Sequence, residues 1–182
     1  RNLIGLTELM EIPETEDTMI TLEDVTGLRS RERSLFENLT RFARKNSQAD
    51  EISTRILNGK IIVNIRGKAL FGSGSAALSP DAANIFDQIT QILADYPDYN
   101  INIKGHTDNV PIATIQFPSN WELSAVRATT VLKHLIKTGV SPARLTATGY
   151  GDVMPLVPNT SEKNRALNRR VEFVLEKRET AN

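Results

Sequence analysis

The stretch Asn100-Ile101-Asn102-Ile103-Lys104-Gly105-His106-Thr107-Asp108 decides the fold. Ile101 and Ile103 alternate with polar residues, so the segment reads as a strand with one apolar face. The polar run from Gly105 to Asp108 stops it, and side chains delivered past a strand end are well placed to bind something. Upstream, Ser79-Pro80-Asp81 is an N-cap followed by proline at the first helical position. The helix it opens runs to about Ala94, presents Ile85, Ile89 and Ile92 (with Phe86 and Leu93 beside them), and is ended by Pro97. Before it lie a small-residue loop, Phe71 to Ser75, and a β-branched strand, Lys60–Arg66, with Ile61, Val63 and Ile65 on one face and a hairpin-type turn at Asn58-Gly59. Downstream, a loop rich in turn formers (109–119) leads to a helix from Trp121 to Lys137 that stops at Gly139. A strand at Leu145–Thr148, a short helix at Ser161–Leu167 and a strand at Arg170–Leu175 follow. The order is βαβαβαβ, an α/β fold of the α+β sandwich type with helices on one face of a small mixed sheet.

Composition narrows the function. The 182 residues are 40% apolar and 24% charged, enough for one compact domain with a flanking extension. Lys plus Arg and Asp plus Glu both total 22, so no net field draws the chain to nucleic acid or anionic lipid. The absence of cysteine removes thiolate metal sites, thiol nucleophiles and disulfides. Apolar runs such as Ile61–Val63 fall far short of the roughly 20 residues a membrane helix needs. The abrupt start at Arg1 suggests a piece of a longer protein whose membrane anchor would lie upstream.

Two parts are expected. Residues 1–50 form a linker, without sustained period over 1–27, plus an amphipathic helix at about 28–46 in which Leu28, Leu35, Leu39 and Phe42 share a face. Residues 51–178 form the domain. The apolar stripe of the first helix fits either a homodimer or packing on its own sheet.

Four ordered segments are specific: Ile103 to Asn109; Asn120-Trp121-Glu122-Leu123-Ser124-Ala125-Val126-Arg127-Ala128; Gly149-Tyr150-Gly151-Asp152; and Asn168-Arg169-Arg170-Val171-Glu172. They resemble the signature segments of the OmpA/Pal/MotB peptidoglycan-binding family across roughly residues 56–176. Within it the chain looks most like the MotB/PomB branch of flagellar stator subunits, because Asp108 and Arg127 stand nineteen positions apart, an insertion of about four residues relative to other members. The resemblance implies a periplasmic, non-catalytic domain that anchors a membrane machine to the wall and needs no cofactor. It also implies pairing into a homodimer and a membrane channel partner reached through an N-terminal transmembrane helix outside this chain. A wall-tethering domain of an outer-membrane protein, a lipoprotein or another envelope machine is the alternative.

The ligand so implied, diaminopimelate in a stem peptide, carries an ammonium and a carboxylate on one side-chain end. Its receptor needs an anion and a cation in fixed relation. The family assigns the contact to the Asp, Asn and Arg that match Asp108, Asn120 and Arg127. Arg127 shares a helix face with Asn120 and Ser124, and its guanidinium grips a carboxylate with two bonds. Thr107, through its hydroxyl, and Arg169, in the basic cluster Asn164 to Arg170, are further candidates. Bland readings stand beside these. Asp108 and Arg127 would form an internal ion pair, Asn120 a helix cap, Trp121 a core residue rather than a sugar platform, and Arg170 a structural salt bridge.

Catalysis is not expected. His106 with Asp108 lacks the further ligands of a zinc site and reads as a buried, hydrogen-bonded histidine, while His134 reads as solvated or packed. No Gly-x-Ser-x-Gly elbow occurs, and Gly72 to Ser75 lacks the lysine of a phosphate loop.

Overall fold

The computed structural model describes residues 29–47 and 50–179; the reading of residues 1–27 as a linker lies outside these. Among these, the residues from Leu35 onward form one compact unit. The elements are α1 (Arg29–Asn46), β1 (Ile52–Leu57), β2 (Lys60–Arg66), α2 (Gly67–Leu70), α3 (Pro80–Ala94), β3 (Tyr99–His106), α4 (Asn120–Lys137), β4 (Leu145–Gly149), α5 (Glu162–Asn168) and β5 (Arg170–Lys177). The sheet runs β1-β2-β5-β3-β4; β3 and β4 are parallel and the other pairs antiparallel. The expected architecture is present, with an edge strand added ahead of it. β1 completes the hairpin whose turn the sequence marked, with Asn58 and Gly59 at φ 50° and 70° as a two-residue turn of this hand requires.

Strand alternation sorts the side chains. Ile61, Val63 and Ile65 of β2, Ile101 and Ile103 of β3, and Val171, Phe173 and Leu175 of β5 share the core with Phe86, Ile89 and Leu93 of α3 and Val131 and Leu135 of α4. Each such buried side chain contributes about 1.5–3 kcal/mol of transfer free energy. Leu35, Leu39 and Phe42 of α1 are buried in that same core, so these three residues of the stripe pack within their own domain, while Leu28 lies outside the described residues; Thr40 shares a 2.8 Å hydroxyl bond with Thr54 of β1. The helix starts follow their caps: Ser79 accepts from Ala82 N, Ser119 from Trp121 N and Ser161 from Asn164 N. Asn120, the residue marked as a possible cap, is therefore the first helical residue instead.

Two glycines fix where α4 lies. A Cβ on Gly105 would stand 2.2 Å from the carbonyl oxygen of Ser124, and one on Gly149 would stand 2.5 Å from the amide nitrogen of Ala125. The backbone of α4 therefore rests directly on the ends of β3 and β4, a spacing only glycine permits. Buried Ser124 adds a bond, its hydroxyl accepting from Gly151 N at 2.9 Å. This contact holds the first turns of α4, which carry Asn120 and Arg127, against the end of β3.

Candidate functional site

His106, the last residue of β3, pairs in register with Arg170, the first of β5. The residues just beyond, Thr107 and Asp108 on one strand and Arg169 on the other, therefore leave the sheet side by side. Asp108 Oδ2 accepts from Arg169 Nη1 at 2.5 Å, and its Oδ1 accepts from Val110 N at 2.9 Å. The other fork of Arg169 donates to Glu162 Oε1 at 2.6 Å, and Glu162 Oε2 accepts from Arg165 Nε at 3.0 Å. Four charges of alternating sign thus run from the buried Asp108 out to the exposed surface of α5.

Arg127 stands apart from this chain. It is 8% exposed and bonds to carbonyls, Nε to Ser75 O at 2.8 Å and Nη2 to Gly72 O at 3.3 Å, with its guanidinium 4.8 Å from the centroid of the Phe71 ring. Burial, reinforced by the Arg169 charge and opposed by Asp108, lowers its pKa to about 10, so it stays a cation at neutral pH. Among the described residues no carboxylate pairs with it, because Asp108 pairs with Arg169. The internal Asp108–Arg127 ion pair is thus not what forms. The loop that carries the two carbonyls is the glycine-serine stretch after α2, whose small side chains let the guanidinium reach backbone.

Thr107, Asp108, Asn120, Arg127 and Arg169 all line one cleft of about 550 Å³. Its remaining walls are Gly67, Lys68 and Phe71 to Gly74 on one side, Val110 to Ile112 and Leu123 on another, and Glu162 at the rim. Asn120 Nδ2 donates to Val110 O at 3.0 Å and to Asp108 O at 3.4 Å, bracing the loop that follows Asp108. Thr107 is buried and turns its hydroxyl to Asp108 O at 2.9 Å. The 109–119 loop is anchored by Phe117, fully buried with Ala76 and Leu123 in a small second core. Glu162 was not singled out from the sequence. Its spacing of seven from Arg169 was the available signal, hidden because an acidic residue in a helix's first turn has an ordinary electrostatic explanation.

Other expectations meet the structure with mixed results. Trp121 is half exposed and lies against Gly151, correcting its placement in the core. His106 is buried, but Glu172 Oε2 is 3.8 Å from its Nε2 and neither ring nitrogen has a hydrogen-bond partner among the described residues. The expected hydrogen bonds are replaced by stacking on Tyr150 at 5.1 Å, and burial lowers the imidazole pKa. Arg170 does form the structural salt bridge, Nε to Glu172 Oε1 at 2.8 Å. Burial alone would raise the Glu172 carboxyl, but His106 and Arg170 together bring it to about 2. His134 is packed rather than free, its Nε2 3.0 Å from Asp87 Oδ1 and its ring 5.9 Å from Phe86. Among the described residues no cluster could hold a metal ion, and no helix is long and apolar enough to cross a membrane.

Residues 70–169 match the model of the OmpA family. Motility protein B of Bacillus subtilis is 32% identical over 136 residues, which cover 74% of this chain and 52% of that protein; the chain spans about half the length of the curated relatives it matches. Among solved structures, a putative MotB-like protein from Desulfovibrio vulgaris superposes with TM-score 0.76 at 39% identity, covering 82% of this chain and 96% of that one. The cell wall anchor of the T6SS from Pseudomonas aeruginosa superposes with TM-score 0.71 at 35% identity, covering 77% and 97%. The matched segment holds all of the cleft's lining but Gly67 and Lys68, from Phe71 and Asp108 through Arg127 to Arg169, and with it the chain belongs to the OmpA family.

Proposed function

We propose that this domain binds peptidoglycan without catalysis, gripping the diaminopimelate end of a stem peptide, and so anchors a flagellar motor stator to the cell wall from the periplasm. The observation that carries this reading is Arg127, a nearly buried cation held among the described residues by carbonyls and a ring, on the same cleft as the anionic Asp108. A zwitterion complements that pair, its carboxylate on Arg127 and its ammonium on Asp108. Asn120, Thr107 and Arg169 shape the same cleft and complete the contact. The names of the relatives, motility proteins that this chain covers in part, support the stator reading. In that setting the domain works as a homodimer beside a membrane channel subunit, tethered to the inner membrane by a segment outside this sequence.

Co-sedimentation with purified sacculi tests the site. The parent chain should pellet, and Asp108→Ala and Arg127→Ala should stay in the supernatant while remaining folded by circular dichroism. A folded parent that does not pellet overturns the wall-binding reading, and release of muropeptides would overturn its non-catalytic part. The likeness to a T6SS wall anchor favours a second reading, the same tether in another envelope machine. A full-length gene with one N-terminal membrane helix bearing an aspartate supports the stator, whereas a lipobox or an eight-stranded barrel supports the alternative.

A further inference from the structure

We infer that Glu162 is a positioning residue: by holding one fork of Arg169 it keeps the Asp108 carboxylate strong enough to receive a ligand ammonium. The inference rests on the reading of the cleft as a zwitterion receptor. Asp108 is nearly buried and its Oδ2 is already bonded to Arg169 at 2.5 Å. A guanidinium committed wholly to that carboxylate would neutralise it, and an arriving ammonium would then meet an ion pair rather than an anion. Arg169 is not wholly committed, because its second fork is bonded to Glu162 at 2.6 Å. Glu162 is well exposed and is itself steadied by Arg165 at 3.0 Å, so its carboxylate is fixed where Arg169 can lean on it. One positive charge is shared between two carboxylates, and Asp108 keeps part of its negative charge.

The charges that line the cleft agree with this division. Asp108, Glu162, Arg127 and Arg169 balance one another, and Lys68 is paired at 3.2 Å with Glu51 outside it. A ligand that is neutral as a whole but separates its charges suits such a site. As its ammonium approaches Asp108, Arg169 shifts weight onto Glu162 without losing a partner. The fork geometry permits this, since each carboxylate is bonded to a different terminal nitrogen of the guanidinium.

The test measures binding of the full chain to a synthetic stem peptide ending in diaminopimelate, and to the same peptide acetylated on the side-chain amine, by isothermal titration. Glu162→Gln should weaken the free-amine peptide about fivefold, the upper range for a solvent-exposed ion pair, and leave the acetylated peptide unchanged. The loss should disappear in the Arg169→Gln background, where no guanidinium competes for Asp108. A loss of equal size for the acetylated peptide, or one that persists with Arg169→Gln, overturns the positioning role and leaves the zwitterion reading intact. Failure of the parent chain to bind the free-amine peptide overturns both.

Discussion

Replacing Gly105 by alanine tests the claim that backbone contact with α4 organises the cleft. The new Cβ would stand 2.2 Å from Ser124 O and 3.0 Å from Ser124 C. Both partners are main chain, so no rotamer change relieves the clash, and α4 must retreat from β3 by about 1 Å to reach ordinary contact distance. Overpacking of this kind costs about 3 kcal/mol, which in a domain of this size lowers Tm by roughly 10 °C. Gly59→Ala is the control: nothing lies within 4 Å of its added Cβ, and the φ of +70° alone costs about 1–2 kcal/mol. Thermal unfolding followed by circular dichroism separates the two. Because Arg127 rides on α4, Gly105→Ala should also bind sacculi more weakly at temperatures where it is fully folded. A Gly105→Ala variant as stable as the parent, or more stable than Gly59→Ala, refutes the argument.

The buried pair Arg170–Glu172 makes stability depend on acid. The Glu172 carboxyl titrates at about 2 in the fold against 4.5 when unfolded, so its contribution is complete above pH 4.5 and is lost as pH falls from there toward 2. At 1.36 kcal/mol per unit this amounts to at most about 3 kcal/mol. His106, lowered by burial, acts in the same direction, since the unfolded imidazole gains its proton first, below pH 6.5. Glu172→Gln should be less stable than the parent at neutral pH and show a flatter Tm profile between pH 4.5 and 2; parallel profiles would contradict the assignment. Asn168 is fully buried, accepts from Leu156 N and Val157 N through Oδ1, and donates through Nδ2 to Val157 O and Asn159 Oδ1. Asn168→Leu strands these groups and should cost about 3 kcal/mol or more by urea unfolding; a loss under about 1 kcal/mol, near the median for arbitrary substitutions, would show the network to be dispensable.

Much of this fold was legible because its signals are local. Alternation at Ile101 and Ile103, the serine cap at 79 and the glycine stop at 139 each lie within one element. The edge strand β1 escaped because Ile56 and Leu57 are adjacent rather than alternating, and only Ile52 of its six residues is buried. Trp121 escaped for a related reason. A tryptophan at a helix start reads as core from composition, whereas Gly151 gives it a surface to lie on that only the chain's return from β4 supplies.

The site divides along the same line. Asp108 and Arg127 were legible as an anion and a cation, but which cation Asp108 meets depends on strand order. Because β5 lies next to β3 and runs antiparallel to it, the residue before Arg170 must emerge beside the residues after His106, and Arg169 reaches Asp108 first. No spacing along the chain carries that information, since 61 positions separate them. The consequence is chemical. Had Asp108 paired with Arg127, the two groups proposed to receive a zwitterion would have satisfied each other, and such a ligand would have to break a nearly buried ion pair to enter. The topology instead gives Asp108 a partner that a second carboxylate also claims and leaves Arg127 on carbonyls, so the anion and the cation stay separate across one cleft.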